Sequence, residues 1–160
     1  MQGIKQQFEM RLCLEWGCFL AMLWAMPLQS FSHFSDLPAG LGAWMSTREG
    51  GHSQAPWDSL NLGDHVGDSP AHVLANRQAL ADALGARPVF LQQVHGTGVL
   101  ELLPNTPDGV MADACFTFER DLACTVMVAD CLPVLLWDAD GHWVAAAHAG
   151  WRGLAGQKGV

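Results

Sequence analysis

Apolar and polar positions change period several times along the chain, and each change marks an element. Val73, Leu74, Leu80, Ala81 and Leu84, with Arg77 among them, recur at the spacing of one helical face. Ser69-Pro70 just ahead supplies an N-cap and a proline at the first helical position, where a missing N–H does no harm. Gly85 is a stop able to take left-handed backbone, so the pattern predicts a helix over 70–84. Val89 to His95 reads as a strand ending at Gly96. Leu122 to Ala129 is apolar without a break over strand length, which predicts burial on both faces. Val134–Trp137 and His142–His148 flank Asp138-Ala-Asp-Gly141, a turn closed by glycine, and so form a hairpin. The stretch from Arg48 to Ser59 is rich in turn formers and reads as loop. From Gly150 a glycine-rich segment leads toward a further helix. Strands and helices thus mix without repeats or linkers, as in an α/β (α+β) domain.

Composition narrows the function more than the fold. Half the residues are hydrophobic, which excludes a disordered chain. The net charge is −8 and lysine and arginine never cluster, so a nucleic-acid backbone would be repelled. A small anion held by one or two arginines remains compatible with this field. The five cysteines are odd in number and form no CxxC pair, which points to a reducing compartment and a cytoplasmic protein. Gly17 to Leu28 is apolar and follows Lys5 and Arg11, a weak leader-like pattern too short to span a membrane. Glu15 and a poor cleavage site argue against a leader. The favoured reading takes residues 1–25 as an extension foreign to the domain, with translation starting at Met22 or Met26, and the domain as 26–160. On that reading residues 1–25 pack poorly on the domain or stay apart from it.

Candidate chemistry gathers where strands end. His95 closes one strand, Cys131 follows Asp130 at the end of another, and His148 closes a third, each with glycine or proline within two residues. Residues leaving strand ends converge at one rim of a sheet. One cysteine and two histidines suit Zn²⁺, and three protein ligands leave the open fourth position of a catalytic site. Each residue taken singly also fits a packed or hydrogen-bonded core position. Convergence on a metal predicts the three ligand atoms within about 4 Å of one another, and separations beyond about 8 Å would exclude it.

Several blocks carry a family resemblance. They are Trp44-Met-Ser-Thr-Arg48-Glu-Gly-Gly-His-Ser, Ser59-Leu-Asn61-Leu-Gly-Asp-His-Val-Gly-Asp68 and Asn76-Arg77, followed by Gln93-Val-His95-Gly and Ala112-Asp113. Ala129-Asp130-Cys131-Leu-Pro133 and His148-Ala-Gly-Trp-Arg-Gly153 complete the set. In this order, over about residues 43–160, the chain resembles the bacterial laccase-domain (YfiH-like) family of purine nucleoside phosphorylases. The resemblance implies a four-layer α/β/β/α mixed sandwich and a zinc site, with copper as the other candidate, formed by His95, Cys131 and His148. It further implies phosphorolysis of adenosine, inosine and S-methyl-5′-thioadenosine, together with adenosine deamination. The partners would be a purine nucleoside and phosphate. Members of the family continue well past the last block, so some strands and substrate contacts are expected to be missing here.

Roles for single residues follow from that chemistry. Arg48 and Arg152 lie in glycine-flanked loops, where a guanidinium can grip phosphate in a bidentate manner; the alternative is ordinary pairing with carboxylates. Asp130 either orients the ligands and carries a proton or caps its loop. Asn61 either contacts a ribose or holds its turn. Cys115 and Cys124 fall in apolar strands and read as inert core. Two other functions use the same residues: a metal-free thiol hydrolase with Cys131 as nucleophile and His148 as base, and an inactive truncated relative that only binds or scaffolds.

Overall fold

The computed structural model describes residues 8–14, 28–30, 37–150 and Leu154. Nine strands and one helix follow in chain order among the described residues: β1 (Phe8–Leu14), β2 (Leu28–Ser30), β3 (Leu41–Ser46), α1 (Pro70–Leu84), β4 (Arg87–Phe90), β5 (Val99–Glu101), β6 (Ala114–Thr117), β7 (Leu122–Val128), β8 (Leu132–Trp137) and β9 (Val144–Ala149). They build a five-stranded sheet in the order β2-β3-β1-β7-β4 and a four-stranded sheet in the order β5-β6-β9-β8. In the first sheet β4 runs parallel to β7, while β1 is antiparallel to both its neighbours. In the second, β5 and β6 are parallel and the β8–β9 pair is the hairpin that the glycine-closed turn predicts.

β7 shows why the two sheets stack. All seven of its residues are buried. Leu122, Cys124 and Val126 face the second sheet and meet Cys115, Val144 and Ala146, forming the core between the sheets. Ala123 and Met127 face the other way, onto Leu60, Leu62, Leu80 and Leu84 beneath α1. One strand therefore feeds two cores, and its unbroken apolar text is the consequence. The mixed α/β fold has three of the four implied layers among its described residues: α1, the five-stranded sheet and the four-stranded sheet.

α1 begins and ends where the sequence places it, with Gly85 in the left-handed conformation at φ +63°. Its buried face is corrected in one respect. Leu74 is 69% exposed, and Asn76 joins Val73, Leu80 and Leu84 on the buried face. The Asn76 amide accepts from the His52 N–H at 2.7 Å and donates to Ser53 Oγ and to the carbonyl of Asn61, at 2.9 and 2.8 Å. Arg77 adds a bond from Nε to the Leu62 carbonyl at 2.9 Å and lies 4.2 Å over the Phe90 ring. Polar groups of the helix thus supply the backbone partners that the strandless loop between β3 and α1 lacks.

Two further expectations are corrected. β4 stops at Phe90, so His95 lies in the following loop and not at a strand end. Residues 8–14 do not stay apart from the domain: β1 pairs from Glu9↔Ser46 to Leu14↔Leu41 on one side and from Phe8↔Val128 to Leu12↔Cys124 on the other. A strand whose apolar and polar residues alternate bonds on both edges wherever the register allows, whatever its resemblance to family blocks.

Candidate metal centre

Three segments bring the predicted ligands together. His148 comes from β9, buried beneath the sheet rim. Cys131 occupies the bend between β7 and β8. His95 sits in the loop after β4 with φ +59°, a left-handed backbone that a bulky side chain rarely takes. Their ligand atoms all lie within 4.8 Å of one another. His95 Nε2 and Cys131 Sγ are 3.8 Å apart, and the two imidazole rings meet edge to face with centroids 4.7 Å apart.

That spacing fits a metal. Ligand atoms around a tetrahedral Zn²⁺ with bonds of about 2.0–2.3 Å stand roughly 3.3–3.6 Å from one another. The separations here, all within 4.8 Å, reach little more than an ångström beyond that range. The backbone also leaves the space open: a Cβ added to Gly150 would come 2.8 Å from His95 Cδ2, inside contact distance. A thiol and two imidazoles are donors of the softness that Zn²⁺ takes.

The His95 loop is held by two side chains. Gln93 donates from Nε2 to the Met127 carbonyl and accepts the Met127 N–H at Oε1, both at 2.7 Å. This exchange continues the β4–β7 contact past the point where β4 has ended. Asp113, 2% exposed, takes the rest. Its Oδ1 accepts from the His95 N–H at 2.8 Å and stands 2.9 Å from His148 Nδ1. Its Oδ2 accepts from the N–H groups of Gly96 and Val94 at 2.8 and 3.2 Å. Burial pushes this carboxyl up, but the His148 bond and the three backbone N–H groups outweigh it and hold the group below the usual carboxylate range. Gln93 and Asp113 stood inside the motif blocks yet were not among the candidate site residues. The only sequence signal was their place in those blocks.

Beside the three ligands opens a cleft of about 600 Å³, a size suited to a small molecule. Trp57, Leu60, Val66 and Met127 give it apolar walls, and Arg48, Asn61 and Asp130 lie on its polar side. The Trp57 indole is fixed by its N–H, which donates to the Val66 carbonyl at 3.1 Å. Arg48 holds Asp58, donating from Nε to its carbonyl at 2.8 Å and from Nη2 to its carboxylate at 3.1 Å. The Asn61 amide is engaged inside its own loop, with Gly63 and with Asp68 Oδ2 at 2.9 Å. Asp130 is exposed, with Oδ1 3.7 Å from Cys131 Sγ. Arg152 lies outside the described residues. Cys115 and Cys124 are free and fully buried between the sheets. Burial and the neighbouring Cys115 thiol push the Cys124 thiol far up; of the two, the bond with Cys115 weighs more.

Known proteins can be set beside this geometry. Residues 42–158 match the model of a family described as multi-copper polyphenol oxidoreductase laccase. A purine nucleoside phosphorylase of Pseudomonas aeruginosa is 53% identical over 118 residues, covering 74% of this chain and 48% of its own length. Purine nucleoside phosphorylase YfiH of Escherichia coli is 52% identical over 119 residues, covering 73% of this chain and 49% of its own. Among solved structures, a Neisseria meningitidis protein of the DUF152 family superposes with a TM-score of 0.72 at 45% identity. That match covers 80% of this chain and 52% of the other. The chain spans about half the length of the relatives it matches.

Proposed function

The chain belongs to the multi-copper polyphenol oxidoreductase laccase family, and from that membership we propose that it carries the metal-bearing part of a purine nucleoside phosphorylase. The observation that carries this reading is the convergence of His95, Cys131 and His148 within 4.8 Å at the edge of the cleft. The substrates are adenosine, inosine or S-methyl-5′-thioadenosine with phosphate, and adenosine deamination is a second reaction of the same site. The setting is the cytoplasm. Zinc is the preferred metal over copper. The donor set matches a single catalytic zinc, whereas a multi-copper oxidase needs several sites. The other possible metal group among the described residues, Asp138–Asp140–His142, is largely exposed and built on carboxylates.

The residues divide the work as follows. His95, Cys131 and His148 would hold the metal, which would supply Lewis acidity there. Trp57, Leu60 and Met127 offer a purine an apolar wall and exclude water from it. Arg48, pre-oriented by Asp58, grips phosphate together with Arg152, and the positive charge offsets anion repulsion as phosphate nears the ribose. Asn61 holds the loop that shapes the cleft, and Asp130 carries a proton to or from the departing or attacked base.

The test is incubation of the zinc-loaded protein with adenosine, with and without phosphate, followed by chromatography. Adenine formed only with phosphate supports phosphorolysis, and inosine supports deamination. Failure to convert adenosine under either condition, in folded and metal-loaded protein, would overturn the proposal. A stoichiometric zinc measurement separates it from a thiol hydrolase using Cys131 and His148.

A further inference from the structure

We propose that Asp113 is a positioning residue that selects the protonation form of His148, holding the proton on Nδ1 so that the Nε2 lone pair faces Cys131 and His95. The inference rests on the metal reading above. It begins from the count of donors around one carboxylate. Asp113 is buried at 2% exposure, and its two oxygens face four N–H groups: Val94, His95 and Gly96 from the backbone, and Nδ1 of His148. An ionised carboxylate can only accept, so the 2.9 Å contact with His148 Nδ1 requires a proton on that nitrogen. Neutral imidazole then has its lone pair on Nε2.

The same carboxylate ties the two histidines into one unit. Its Oδ1 serves both the His95 N–H and the His148 ring, so the left-handed backbone at His95 and the ring angle of His148 share one anchor. The backbone adds a second link, since the His148 N–H donates to the Asp113 carbonyl at 2.7 Å. Outer partners of this kind set the tautomer and ring orientation of ligating histidines. Removing one costs about 10–100-fold in metal affinity.

Asp113→Asn makes the inference sharp, because the amide has two settings and neither reproduces the carboxylate. With its oxygen toward His95 and His148, the NH₂ group points at the N–H groups of Val94 and Gly96, and donors face donors. With its oxygen toward Val94 and Gly96, two backbone bonds survive, the His95 N–H loses its acceptor, and the NH₂ faces His148 Nδ1. It can donate there only if that nitrogen is bare, which moves the imidazole proton to Nε2 and removes the lone pair the metal needs. Asp113→Asn should therefore switch the tautomer of His148 while the sheet stays intact.

The experiment reads ¹⁵N chemical shifts of the histidine rings in metal-free protein and Zn²⁺ affinity by competition with a chromophoric chelator. Wild type should show His148 protonated on Nδ1. Asp113→Asn should show protonation on Nε2 with about 10–100-fold weaker Zn²⁺ binding and an unchanged far-ultraviolet circular dichroism spectrum. Wild-type His148 carrying its proton on Nε2 would overturn the inference even if the variant failed to fold. Wild type that binds zinc alongside an Asp113→Asn variant of equal affinity would overturn this inference and leave the metal reading standing. Wild type that binds no zinc would overturn both.

Discussion

At Gly150 the absence of a side chain is a structural requirement of the candidate site. A Cβ there would lie 2.8 Å from His95 Cδ2, and the ring has Cys131 and His148 on its other sides. Overpacking of this kind costs about 1–3 kcal/mol, so Gly150→Ala should weaken zinc binding by about tenfold with little change in secondary structure. Equal affinity by chelator competition would show that His95 can move without loss. Asp68 makes a different kind of demand. Its side chain is 2% exposed and accepts from Ser53 Oγ, Asn61 Nδ2 and the Ser69 N–H. Burial raises this carboxyl, but those bonds and nearby His72 outweigh it, leaving the folded value below the ordinary one. The stability it contributes is present above the unfolded value of about 3.9 and is lost as pH falls through the lower folded value. Urea midpoints of wild type and Asp68→Asn should differ at pH 7, and the gap should shrink as pH falls below about 4. A gap that does not change with pH would exclude this linkage. Residues of this type were only partly legible in the chain. His95, Cys131 and His148 stood out because each reads as leaving a strand, which holds for Cys131 and His148 and fails for His95, five residues past the end of β4. Asp113 did not, because it acts through groups 17 to 35 positions away and a lone aspartate before a strand has no pattern of its own.

Among elements, those with a strong local signal were legible and those made by long-range contacts were not. α1 combines apolar spacing with Ser69-Pro70 and Gly85, and the β8–β9 hairpin combines short apolar runs with a glycine-closed turn. The buried role of Asn76 was hidden because an amide on a helix reads as a solvent-facing residue, while here its partners come from the loop at 52–61. Asn76→Ala should leave the His52 N–H and the Asn61 carbonyl unpaired in the interior. Each such group costs about 1–3 kcal/mol, so a loss of at least about 4 °C in Tm is expected in a calorimeter. A smaller drop would mean that water replaces the amide. β1 was masked for another reason: Glu9 and Arg11 alternate with apolar residues, but the apolar stretch after Gly17 draws the eye to a leader. Since β1 lies between β3 and β7, removing residues 1–25 should split the five-stranded sheet. Residues 26–160 are expected to lose cooperative thermal unfolding relative to the full chain. A sharp transition in the shorter protein would restore the view that the extension is dispensable.

For the whole molecule, the decisive feature is the outer face of the four-stranded sheet. The register places Val99 beside Ala114, Phe116 beside Ala145, Val134 beside Ala147 and Leu136 beside Ala145, all on the side away from β7. Their inward neighbours Cys115, Val144 and Ala146 fill the core between the sheets. Apart from Glu101 beside Phe116, the outward residues are apolar too, which is unusual for a sheet face left to water. Val99 is 66% exposed, Leu132 59%, Phe118 57% and Leu136 50%. A sandwich normally covers such a face with a helical layer, and the relatives, of whose length this chain matches about half, have chain enough to supply one. Expressed by itself, the 160-residue chain should therefore show a contiguous apolar surface larger than the few hundred Å² common on monomers. Strong binding of a hydrophobic dye and concentration-dependent association in sedimentation velocity are the expected signs. A dye-silent monomer that unfolds cooperatively would mean that this sheet closes without an added layer, and that the candidate site can be studied in the chain as it stands.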